Sequence, residues 1–423
     1  MNSENRRKKE RQTLYENFIS LSLLELAGYI LPLITLPYLF RVLGPAKFGI
    51  ISFFQALNNY FVLVADYGFN LTATKDISIN REDKYALARI LTDVTFTRIL
   101  LAITTFLAML FIVNFIDRFR GEQFIAFLFF GVVIGQVLFP QWFFLGLERM
   151  KYITTLNVLS KFVFTVLVFV FVKKESHYYL VPLFTSIGFI LTGVISLIVI
   201  YRSFGIKFKI PRFSGILFQL KNGWQVFQSL ISISFYSTVS ILILGFFASD
   251  EIVGYYSAAS RLIDAAKRLI RPITQTLFPY VSKKITESKE AGLNVIKKSI
   301  RVLIPLMFAV SVSLFTLAPL LIDIIYSSSS REIVDVFRIL CWTPLVISFS
   351  AIFGLQTMLP LGMKNEYSRT YFIAAVLGLL LFLIITPVYK HIGAAVAVLS
   401  VEMFVSVYMY VLLRMRRIEL FVM

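Results

Sequence analysis

Along this chain, windows of about twenty apolar residues alternate with short charged stretches. The apolar windows fall near residues 17–39, 48–67, 93–115, 124–145, 153–172, 178–201, 218–247, 252–280, 301–325, 334–358, 370–388 and 392–413. A bilayer core about 30 Å thick is crossed by about 20 residues of α-helix, so each window predicts one transmembrane helix. The pattern describes an all-α integral membrane protein of about 12 spans. Prolines interrupt several of them: Pro32 and Pro37 in the first, Pro272 and Pro279 in the eighth, Pro344 in the tenth. Each lacks a backbone donor and predicts a kink.

Two weak internal repeats divide the pattern into halves. Phe48-Gly49-Ile50-Ile51-Ser52 opens the second window and Val253-Gly254-Tyr255-Tyr256-Ser257 opens the eighth. Leu145-Gly146-Leu147-Glu148 closes the fourth, and Leu361-Gly362-Met363-Lys364 follows the tenth. Both offsets correspond to six helices, which predicts two parallel six-helix lobes. The expected parts are a basic tail over 1–16, lobes over 17–201 and 218–413, a linker over 202–217, and a tail over 414–423.

Composition agrees with a lipid environment: 58% of the residues are hydrophobic, against about 45–50% in ordinary soluble domains. The net charge of +18 raises the question of a nucleic-acid partner, but its placement answers it. Lys and Arg are about threefold more abundant in one alternating set of loops than in the other, as expected when the basic loops are cytoplasmic. Both termini are then cytoplasmic, and most of the charge sets orientation. Cys341 is the single cysteine and lies in an apolar run, so an inert buried thiol is expected and no internal disulfide can form. His177 and His391 stand alone, no metal-ligand spacing is present, and no phosphate-cradling glycine loop is present. No cofactor is expected.

Charges inside the apolar windows are the candidate chemistry. Arg261, Asp264, Lys267, Arg268 and Arg271 lie in the eighth. At about 100° per residue, all five share one arc of about 120°. A charge at mid-bilayer costs about 2.5–3.5 kcal/mol, so this arc is expected to face a wet cavity. An interfacial helix, or snorkelling of Arg271 to the inner surface, is the alternative. Arg98 in the third window and Lys161 in the fifth add two cations, while Glu25, Asp66, Asp264 and Glu402 are candidates for ion coupling or for pairing. Cations predominate, which suits a cargo with concentrated negative charge, since the guanidinium fork matches phosphate. Asn58, Asn59, Asn222, Gln225 and Gln228 could hydrogen-bond sugars or neighbouring helices.

The stretch from Leu31 to Pro45 (LPLITLPYLFRVLGP), the following Phe48-Gly49, and Asp66-Tyr67-Gly68-Phe69-Asn70-Leu71-Thr72-Ala73-Thr74 resemble the opening signature of the polysaccharide transporter family. Phe139-Pro140-Gln141-Trp142-Phe143-Phe144-Leu145-Gly146-Leu147-Glu148, Val253 to Ala259 and Leu277-Phe278-Pro279 resemble its fourth and eighth helices. The resemblance is to the Wzx-type flippases, in the superfamily of multidrug exporters and the peptidoglycan-precursor flippase, though the two extra helices of the latter are absent. It implies a V-shaped, alternating-access transporter with a cationic central cavity in a bacterial inner membrane. The implied cargo is an undecaprenyl-pyrophosphate-linked oligosaccharide of O-antigen, capsule or related polysaccharide. Membrane lipids and other polysaccharide-assembly proteins are the implied partners, with no nucleic acid. Coupling to H+, Na+ or the membrane potential is expected in place of a cofactor. Arg98, Lys161, Arg261 and Arg268 would carry the family's cationic lumen. A drug antiporter of the same fold would need a lumen dominated by acids, and a membrane-embedded polymerase would need a long outer loop. A passive scaffold of the assembly machinery is the remaining rival.

Overall fold

The computed structural model describes residues 3–268, 270–327 and 330–420, and every regular element among them is helical. In chain order these are α1 (Ser3–Asp66), α2 (Phe69–Ile79), α3 (Lys84–Phe115), α4 (Gln123–Leu138), α5 (Gln141–Gly146), α6 (Met150–Phe171), α7 (Leu180–Phe204) and α8 (Phe213–Phe247). They continue as α9 (Asp250–Lys267), α10 (Ile270–Glu287), α11 (Lys289–Thr316), α12 (Ala318–Tyr326), α13 (Arg331–Leu340), α14 (Thr343–Ser350), a π-helix (Ala351–Met358) and α15 (Lys364–Met415). Short 3₁₀ turns lie at Asp117–Phe119 and Glu175–His177.

Where the helices break follows from local chemistry. The backbone of α1 stays helical through Pro32 and Pro37 and breaks instead at Gly44, with φ 71° and ψ 168°. Pro45 pushes its predecessor out of the α region, and only glycine takes that positive φ without a steric cost. The first two expected spans meet there. A second break, at Lys390 with φ 48°, divides α15 where the last two expected spans meet. The eighth expected span proves to be two helices. Arg268 caps the end of α9 and α10 starts at Ile270, so Pro272 falls in a first turn, where no intrahelical donor is needed. Of the five charges expected on one arc, those from Arg261 to Arg268 lie on α9 and its cap, and Arg271 belongs to α10. Pro344 likewise sits at the start of α14.

Eight segments among the described residues are long and apolar enough to cross a bilayer. Two of them, Ile34–Ile79 and Lys364–Met415, run 46 and 52 residues, more than twice the about 20 that one crossing needs. The charges of α9 keep it below the threshold. The all-helical, multi-pass architecture is thus established, while the count of twelve belongs to the hydropathy pattern alone.

The helices form two compact units. One comprises the residues up to 44 together with 54–231; the other comprises 45–53 together with 232 onward. The division falls inside α8, whereas the expected linker 202–217 belongs to the first unit. Phe69, Leu91, Trp142, Phe143 and Phe144 centre the core of the first unit. Ile296, Leu303, Met307, Met358, Val405 and Met409 are among the residues that centre the second.

Lipid is as apolar as leucine, so helices in a bilayer associate through close packing at small residues. In the first unit α4 and α7 meet this way: a Cβ on Gly135 would lie 2.4 Å from the Phe189 carbonyl carbon, and one on Gly193 would lie 2.8 Å from the Gly135 oxygen. In the second unit the two copies of the sequence repeat touch each other. A Cβ on Gly49 would lie 1.8 Å from the Asp250 oxygen, and one on Gly254 would lie 2.0 Å from the Pro45 oxygen. The contact is reciprocal, because Pro45 and Gly49 stand at the same repeat positions as Asp250 and Gly254.

Candidate functional site

Arg98 lies on α3 and is only 3% exposed, so it does not line an open cavity as expected. Its Nη2 is 3.2 Å from Asp66 Oδ1 at the end of α1, and its Nη1 donates to the Phe139 carbonyl at 3.3 Å. Phe139 ends α4 ahead of Pro140; its oxygen also accepts from the Gln141 N–H at 2.9 Å, and a cation is favoured at a helix C-terminus. Asn70 donates to both carboxylate oxygens of Asp66 at 3.1 Å. Arg98 Nε is buried with no hydrogen-bond partner. Asp66 therefore pairs, and Arg98 fastens the ends of two helices to a third. Removing one member of a buried pair costs about 3–5 kcal/mol, because the other charge is left behind.

Arg261, on α9, is placed differently. It is half-buried, its Nη2 lies 3.4 Å from Ser52 Oγ, and its guanidinium carbon stands 5.6 Å over the Phe48 ring. Ring and hydroxyl both stabilise the cation; a cation over an aromatic face gains about 0.5–2 kcal/mol. Nearby, buried Tyr326 donates from its hydroxyl to the Ala258 carbonyl at 2.9 Å. Arg261 thus sits beside the reciprocal glycine crossing, on which Val253, Tyr256, Ala258, Ala259 and Ile263 form the buried apolar face of α9.

One turn further on, the structure gathers three more sequence candidates. Lys267 Nζ is 3.1 Å from Asp264 Oδ1. Both line a cavity of about 190 Å³ with Glu402 of α15, walled by Ile347, Phe382, Val398 and Val401. Asp264 is 52% exposed and Lys267 23%, so this pair contacts the cavity and is not sealed in the core. Arg268 is exposed at the end of α9, and Lys161 is half-buried on α6 in the other unit. The side chains of Glu25 and Arg271 lie outside the described residues. Among the described residues no group of three or more His, Cys, Asp or Glu side chains could hold a metal ion.

The polar candidates also separate. Asn58 is buried, whereas Asn222, Gln225 and Gln228 are exposed on α8, within one arc of about 120°. The sequence signal for that stripe was present but equivocal. The partnership of Asp66 with Arg98 carried no local signal, because 32 residues separate them.

Two helical units whose apolar helices hold charges define a polytopic membrane protein with a transporter fold. Solved structures of that kind resemble the chain over most of its length. An inward-facing multidrug resistance MATE family transporter of the MOP superfamily aligns at TM-score 0.72 and 16% identity, over 95% of this chain and 98% of that one. The lipid II flippase MurJ in an inward closed conformation aligns at TM-score 0.73 and 15% identity, over 93% and 87%. The chain belongs to the family described as polysaccharide biosynthesis protein, which matches residues 14–285. A relative from Escherichia coli (strain K12), named "Putative O-antigen transporter", is 32% identical over 402 residues, covering 95% of this chain and 97% of that one.

Proposed function

We propose that this chain is a flippase. It moves an undecaprenyl-pyrophosphate-linked oligosaccharide, the repeat unit of O-antigen, capsule or a related polysaccharide, from the inner to the outer leaflet of a bacterial inner membrane by alternating access. On this reading it is a transporter and not an enzyme. The observation that carries the reading is the end-to-end similarity to a relative named for O-antigen transport. Fold alone does not choose cargo, since a multidrug transporter and a lipid II flippase both match it.

The charges supply a matching chemistry. Arg261, Lys267 and Arg268 on α9, with Lys161 on α6, are the groups assigned to the pyrophosphate. The exposed amides of α8 are assigned to the glycan. Arg98 is assigned to structure. The Asp264–Lys267–Glu402 cavity is the proposed place for coupling to H+ or Na+. The membrane potential, at about 2.3 kcal/mol per charge per 100 mV, is an additional source of drive. On this reading both termini are cytoplasmic, in keeping with the basic loops, with 17–201 and 218–413 as the rocking halves and 202–217 as the cytoplasmic linker. Other polysaccharide-assembly proteins are the expected partners there.

The test is reconstitution of the full chain in liposomes with a fluorescent lipid-linked oligosaccharide and a membrane-impermeant quencher. Protein-dependent exposure of the inner-leaflet pool is expected. A pool that stays protected, in vesicles that accumulate a small organic cation instead, overturns the reading in favour of an antiporter.

A further inference from the structure

The second unit carries an apolar groove that none of the assignments above uses. It lies between α14 with its π-helix and the last part of α15, with a volume of about 360 Å³, within the usual range of about 300–1,000 Å³ for ligand pockets. Val346, Phe349 and Phe353 form one wall and Met403, Val407 and Tyr410 the other. Spacings of three and four residues put each set on a single helix face. Glu402, Val401 and Ile347 point the other way, into the charged cavity. Met403 and Val407 are 50% and 59% exposed, so the groove opens outward from the unit. The Phe353 ring lies 5.7 Å from that of Tyr410 and 5.9 Å from that of Phe349, and closes one end. Phe353 belongs to the π-helix, an uncommon geometry frequent at functional sites.

That end of the groove is marked by charge. The Arg414 guanidinium stands 6.0 Å over the Tyr410 ring. Beyond it come Arg416 and Arg417, and an ion pair of 2.7 Å from Arg416 to Glu366 brings in the start of α15, with Lys364 and Arg369. Arg414 itself pairs with Glu419 at 3.2 Å, and the two ends of α15 with the residues just after it carry five cations against the two carboxylates Glu366 and Glu419, an excess of positive charge. The occupant such a site fits is apolar along its length and ends in concentrated negative charge. A zwitterionic phospholipid lacks that charge, and a hydrophilic anion lacks the tail.

We infer that this groove seats the isoprenoid tail of the lipid-linked cargo, with its diphosphate drawn to Arg414 and its neighbours. The inference rests on the flippase reading and specifies where the lipid part of the substrate binds. It is tested with the full chain in nanodiscs of phosphatidylethanolamine and phosphatidylglycerol and a benzophenone-tagged polyprenyl diphosphate. Illumination is expected to label peptides covering 346–353 and 403–410. An excess of untagged polyprenyl diphosphate should reduce labelling at least tenfold, and the same amount of added phosphatidylglycerol should leave it unchanged. Met403→Trp and Val407→Trp, which fill the groove from its exposed side, should each reduce labelling tenfold in protein of unaltered thermal unfolding. Arg414→Gln should reduce it several-fold. Label elsewhere, equal competition by phosphatidylglycerol, or full labelling of both tryptophan variants overturns the inference. Wild-type flipping measured alongside separates the two readings: flipping with an unlabelled groove defeats this inference only, whereas absent flipping defeats the flippase reading.

Discussion

Arg98 and Arg261 are the same residue type in apolar helices, and their surroundings divide them. Arg98 is enclosed in the first unit, with a carboxylate and a helix-end carbonyl as partners. Its charge is matched within the protein and its role is to fix the ends of two helices to a third. Arg261 is half-buried in the second unit, resting on a ring and a hydroxyl, with part of its surface still accessible. The lesson is that a charge in a bilayer-spanning segment marks function only after its partners are known. An enclosed, paired charge is part of the framework, and a partly exposed one can be reached by a ligand.

The sharpest way to break this comparison is to remove Arg98. Arg98→Met leaves Asp66 buried without its cation, and a loss of about 3–5 kcal/mol is expected in detergent unfolding. The Arg98→Met/Asp66→Leu double variant should regain most of it; losses that simply add would show that the pair is not what holds the helices. Next in size is Gly254→Leu, or Gly49→Leu, at the crossing that supports Arg261. Overpacking there should cost at least about 1–3 kcal/mol, whereas Gly378→Ala, whose new Cβ meets its nearest neighbour at 3.4 Å, should unfold like the parent.

Arg261→Gln should slow flipping at least tenfold, equivalent to about 1.4 kcal/mol, while shifting the unfolding midpoint little. Arg261→Lys should fall between, because it keeps the charge and loses the fork of donors. Unchanged flipping in Arg261→Gln would erase the distinction from Arg98. The smallest effect belongs to the Asp264–Lys267 pair. A double-mutant cycle on unfolding should return about 0.2–1 kcal/mol, shrinking with added salt, since both groups are partly exposed.

Much of the architecture could be read from the chain because lipid imposes a simple rule on it. Twenty-residue apolar windows and basic loops are local signals, and the break at Gly44 could be anticipated from the glycine–proline step. The charged face of α9 was likewise legible from Arg261 to Arg268. Its continuation was not. Pro272 marks a disturbance without saying whether the helix bends or restarts. Pairing was also hidden: nothing near Asp66 in the sequence points to Arg98 or to the Phe139 carbonyl. The two glycine motifs were visible as a repeat, but similarity between segments does not reveal that they touch.

That mutual touch constrains how the chain can change. At most tight contacts, growth on one side can be relieved by trimming the other. At Gly49 and Gly254 each residue presses on main-chain atoms, and each is already the smallest available. Neither position can be rescued by a second-site exchange at the other, so the duplicated motif is bound to remain glycine in both copies.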